Sequence, residues 1–211
     1  MKLTSVEADA IAKIIDPIFF RHESSYSFKK YPAEDYARYK SVYSKTPIKN
    51  DEIQASLVWK WGHFGKNNFP LKQKELIQKI KDLWADYVRS KNCGNAKCSF
   101  QWWSSKLPST AYITAAYVTH LVHHSDPLPI IDQHNFRAMN RLVKAVRAKH
   151  EATKVPRSWQ DIADLKAFMS AVLMHLPGKS SDELDRFLMM YGRSIKPRKS
   201  RKPRKEALTM R

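Results

Sequence analysis

Apolar residues recur three and four positions apart along most of the chain, and prolines punctuate the runs. Val6, Ala10, Ile11, Ile14 and Ile15 share a helical face that Pro17 closes. Tyr36, Tyr39 and Tyr43 share another, between Pro32 and Thr46-Pro47. Asn50 or Asp51 caps the next run, Ile53, Leu57, Val58 and Trp61, whose end Gly62 and Gly65 loosen before Pro70. A long amphipathic helix from Leu71 to about Arg89 turns Leu76, Ile80, Leu83, Trp84 and Tyr87 inward and lysines outward. Segments 19–31 and 91–99 read as irregular, the second holding both cysteines, and Phe100, Trp102 and Trp103 as an aromatic knot. Pro108 and Ser109 open a helix from Thr110 to about His124. Ser158 caps one carrying Trp159, Ile162, Leu165, Phe168 and Val172, and Ser180-x-x-Glu183 is a capping box opening the last, to about Ser194. No segment alternates with period two, so the pattern predicts an all-α fold.

One stretch does not read as a helix interior. Pro127 and Pro129 break what precedes it, Ile130 and Ile131 carry the chain inward, and Asp132 stands where a helix begins that nothing stops before His150. Asp is a favoured N-cap, and capping alone accounts for the residue. A capping Asp is also ionised and well oriented, which is what electrostatic catalysis needs, so the two roles are compatible.

Charge points to the partner. Lys plus Arg number 38 against 20 Asp plus Glu, a formal +18. Such a field gathers polyanions, and with no long apolar run or lipidation motif nucleic acid is expected rather than a membrane. Lys196, Arg198, Lys199 and their neighbours to Lys205 form a basic tail expected to be disordered and to track phosphates. No GxGxxG or GxxxxGK[ST] motif is present. Cys93 and Cys98 are too few for a four-thiolate zinc or iron–sulfur site. The polar start at 1–7 is no signal peptide, so reduced thiols in the cytoplasm are expected. His120, His123 and His124 have metal-binding spacing, although histidines at a helix C-terminus more simply complement its dipole.

The segment Ile131-Asp132-Gln133-His134-Asn135-Phe136-Arg137-Ala138-Met139-Asn140-Arg141 resembles the one that follows the hairpin in helix-hairpin-helix DNA glycosylases of the endonuclease III superfamily. There an Asp precedes a similar Thr-His-x-Phe-Arg and Asn-Arg pattern. The stretch from Leu184 to Gly192-Arg193 resembles that family's last helix, and Leu107-Pro108-Ser109-Thr110-Ala111 lies where it carries a Leu-Pro-Gly-Val-Gly hairpin. Here Ser109 and Ala111 replace the hairpin glycines, Ile113 stands where bifunctional members carry a Schiff-base lysine, and the four-cysteine cluster is absent.

The resemblance implies two helical lobes with a central cleft: residues 50–128 in one, 1–49 with 129–195 in the other, and 196–211 as the tail. It implies a monofunctional glycosylase with no cofactor or metal, acting on double-stranded DNA in base-excision repair or in defence against phage with modified DNA; a monomer is the default expectation. Asp132 is the implied catalytic residue. Trp59, Lys60, Trp61, His63 and His134 are candidates for the base pocket or for filling the gap left by a flipped base, with both tryptophans equally readable as core anchors. Lys60 as a replacement imine-forming nucleophile is the lesser reading. Ser109, Thr110, Arg137, Arg141 and the tail residues Lys196, Arg198 and Lys199 are candidates for the DNA backbone. The alternatives are a non-catalytic helical protein that binds DNA or RNA, and one that binds an acidic partner.

Overall fold

The computed structural model describes residues 1–43, 48–66, 68–90, 94–126, 128–151 and 155–195. Cys93 and the tail residues Lys196, Arg198 and Lys199 lie outside them. The described residues are helical and contain no strand. The helices are α1 (Ser5–Ile15), α2 (Phe19–Glu23), α3 (Ala33–Tyr43), α4 (Asn50–Lys60), α5 (Leu71–Arg89), α6 (Ala96–Lys106), α7 (Tyr112–Val122), α8 (Gln133–Val146), α9 (Trp159–Leu173) and α10 (Ser181–Ser194). Among the described residues no helix is long and apolar enough to cross a membrane.

Burial explains the arrangement. Every residue from 114 to 121 on α7 is buried, so α7 is a central helix covered on all sides, a pattern expected of a core helix rather than a surface one. Around it, α3 packs on α4 and α7, α5 on α4, and α6 on α7 and α9. A second group forms where α10 lies along α8, α2 packs on α10, and α1 covers α8 and α9. One continuous apolar cluster runs through both groups, from Ile11 and Ile15 through Leu57, Trp103 and Val118 to Phe168 and Phe187. Each fully buried aliphatic or aromatic side chain contributes about 1.5–3 kcal/mol over leaving it exposed.

Several boundaries differ from those the sequence suggests. Segment 19–31 contains α2, reached through a 3-10 turn at Asp16–Ile18 that accommodates Pro17. Lys49, not Asn50 or Asp51, precedes α4 at its N-cap. Gly62 closes α4 instead of loosening it. At φ 70° it carries a Schellman motif, with His63 N donating to Val58 O at 3.0 Å and Gly62 N to Trp59 O at 2.9 Å. Residues 96–99 are helical, because Asn95 Oδ1 accepts from Cys98 N and caps α6. Trp103 there stacks on Trp84 with centroids 5.8 Å apart, placing the aromatic knot in the core. Ser109–Ala111 is a 3-10 turn, and α7 begins only at Tyr112. Helix α8 ends at Val146 rather than near His150, since Arg147 leaves helical geometry and its guanidinium pairs with Glu7 at 2.7 Å.

Candidate functional site

A short strap delivers Asp132. Leu128 and Ile131 are buried, and backbone turns fold the strap tightly. Two side chains then fasten it: His120 Nδ1 donates to Leu128 O at 2.8 Å, and Asn135 Nδ2 to Ile130 O at 2.6 Å. Asp132 caps α8 in extended geometry, its Oδ1 accepting from His134 N at 2.6 Å and from Asn135 N at 3.0 Å. Asn135 Oδ1 returns the favour by accepting from Asp132 N at 2.8 Å, completing a capping box. The capping role expected from sequence is therefore present, and both its bonds use the same carboxylate oxygen.

Asp132 also lines a small cavity of about 40 Å³ with Lys60, Asn135 and Asp185. Lys60 comes from the last turn of α4, and Asp185 from α10, where Asn135 Nδ2 donates to its Oδ1 at 3.1 Å. Three formal charges thus share one small space. Burial lowers the Lys60 ammonium pKa, opposed by the negative charges of Asp132 and Asp185. Burial raises Asp185 to about 7; Lys60 works against that rise, and Asp132 adds to it.

This space adjoins a larger cavity of about 440 Å³, the two sharing Tyr26, Tyr31, Trp59, Ile130 and Asp185 in their walls. One wall is a set of near-parallel rings. Tyr36 stacks on Trp59 at 5.2 Å and on His120 at 5.8 Å, and the buried Tyr117, outside the lining itself, lies parallel to Trp59 at 6.2 Å. Leu128 O can only accept, so His120 Nδ1 carries a proton, and Nε2 accepts from the Tyr36 hydroxyl at 2.5 Å. Burial pushes His120 down to about 3, consistent with a neutral ring. Asp182, Asp185 and Arg186 also line the cavity, the last paired with Glu23 at 2.7 Å.

The residues singled out from sequence are distributed unevenly. Lys60 and Trp59 line the site with Asp132; Trp59 is buried between Tyr36 and Tyr117, its Nε1 donating to Pro32 O at 3.0 Å. Trp61 is half-buried against the core, and His63 stacks on Phe69 at 6.4 Å. Neither is among the residues lining the two cavities, nor is His134, whose Nδ1 accepts from Arg137 at 3.2 Å. Arg137 turns inward, also donating to Gly192 O at 2.9 Å. Arg141, Ser109 and Thr110 are exposed. His120 belongs to the cavity wall rather than serving a helix dipole, and among the described residues no His, Cys, Asp and Glu cluster is disposed to hold a metal.

The sequence alone gives no site role to Asn135, Asp185 or Tyr36. Asp185 left a signal: Leu188 and Met189 follow it by three and four positions and are buried, so this acid lies on an inward face. No protein-family model, curated protein or solved structure matches the chain.

Proposed function

We propose that the protein is a monofunctional DNA glycosylase, built as a divergent endonuclease III-like pair of helical lobes, that everts a damaged or modified base and hydrolyses its N-glycosidic bond. The observation carrying this reading is the junction of an aromatic-walled cavity with a smaller one holding Asp132, Lys60 and Asp185. A flipped base in the larger cavity would bring its sugar toward the smaller. Eversion costs a few kcal/mol, and stacking on aromatic side chains returns about 1–3 kcal/mol per base. Breaking the bond builds positive charge on the sugar, which the carboxylate of Asp132 stabilises while it orients a water. At about 440 Å³ the larger cavity is the size of sites for drug-like ligands, which favours a base with a bulky substituent.

The formal +18 supplies the attraction to duplex DNA, and the chain acts as a cytoplasmic monomer without a cofactor. Mass spectrometry of bases released from DNAs carrying different modifications tests the reading and identifies the base. A non-catalytic DNA- or RNA-binding protein is the second reading, favoured by Ser109 and Ala111 standing where hairpin glycines are expected. Abasic sites accumulating in DNA incubated with the protein rule that reading out.

A further inference from the structure

Two carboxylates at one junction invite a division of labour. Asp132 lines only the smaller cavity, whereas Asp185 lines both. A base held against the aromatic wall and a sugar facing Asp132 would meet Asp185 at the bond between them. We propose that Asp185 is the general acid of the reaction, its carboxyl donating a proton to the departing base from the wall common to the two cavities. This rests on the glycosylase reading.

The groups around it agree with that role. Lys60 faces it from α4, Asp132 from the cap of α8 and Asn135 from its first turn, Tyr26 from the segment after α2, and Asp182 from its own helix. Tyr36 on α3 lies in the same larger cavity. Asn135 fixes one Asp185 oxygen through an N–H donor, so the second oxygen is the one that carries the proton. Burial, helped by the two neighbouring carboxylates and opposed by Lys60, holds the group at about 7, where the neutral acid is well populated near neutral pH. The opposite demands on the two acids, one charged and one neutral, are those of a glycoside hydrolase pair.

The step balances. The bond between C1′ and the base nitrogen breaks, its electron pair leaving with the base. The Asp185 proton goes to the base, and water adds to C1′. The water's surplus proton passes to Asp132 and on to solvent, and Asp185 is reprotonated from solvent. The net change is sugar–base plus water to abasic sugar plus free base.

Two measurements on the full chain test this. The first is carbon-13 carboxyl NMR of wild type and Asp185→Asn, which identifies the Asp185 signal by its loss. A midpoint near 7 is expected, and one below about 5 overturns the proposal, because the group would then be an ordinary carboxylate. The second is base release from unmodified, alkylated, oxidised and hydroxymethylated duplexes across pH. Asp185→Asn should slow release about 100-fold or more and abolish the fall in wild-type rate above pH 7. A variant as fast as wild type, or one keeping that alkaline fall, overturns the acid role alone. Wild type releasing no base from any duplex overturns the glycosylase reading and the acid role with it.

Discussion

Gly192 lies directly against His134. A Cβ at position 192 would stand 1.9 Å from His134 O, so α10 can approach the first turn of α8 only with glycine there. Arg137 reaches across the same contact to Gly192 O at 2.9 Å. This contact sets the distance between the helix that Asp132 caps and the helix that carries Asp185.

Gly192→Ala should therefore destabilise the fold by about 3 kcal/mol or more, at or beyond the upper end for overpacking because the obstacle is backbone. Urea unfolding midpoints measure this. An alanine variant with the wild-type midpoint would mean that α8 and α10 are further apart than described.

His120 gives the fold a predictable acid limb. It is buried and neutral, held at about 3 against 6.5 in an unfolded chain, first by burial and then by Lys40. The unfolded state thus binds more protons between those values. Stability is full above 6.5 and is lost as pH falls toward 3. Denaturant midpoints should decline from pH 7 to pH 4 in wild type and decline less in His120→Gln, whose overall stability will be lower. Equal slopes would contradict a neutral His120.

Residues 196–211 carry a dense run of lysine and arginine. Truncation after Ile195 should weaken duplex DNA binding by about 10-fold at moderate salt and flatten the dependence of log K on log salt, since each lost phosphate contact removes close to one unit of slope. An unchanged slope would place the polyanion-binding charge on the helical body alone.

The helices were largely legible in the sequence because period and caps agree in α1, α9 and α10, and because period alone, bounded by prolines, marks α3 and α5. The misread places have two causes, a distant contact and an overlooked local cap. Arg147 ends α8 by pairing with Glu7, 140 residues away in sequence, and no local breaker marks the spot. Helix α6 hides behind a polar, glycine-bearing lead until Asn95 is recognised as its cap. Asp132 was legible because strap and cap are local. Of its surroundings only Trp59 and Lys60 are named by the sequence, through the resemblance: Tyr36, His120 and Asp185 come from three other helices and join them only once α3, α4, α7 and α10 have packed.

The central claim is that the Asp132 carboxylate acts on the sugar of an everted nucleotide. Single-turnover formation of abasic sites by Asp132→Asn, on whichever DNA loses its base fastest to wild type, tests it most directly. Asn still accepts the cap bonds from His134 and Asn135, so the helix and DNA affinity should persist while the rate falls about 100-fold or more. Release at close to the wild-type rate, with binding unchanged, would contradict the account.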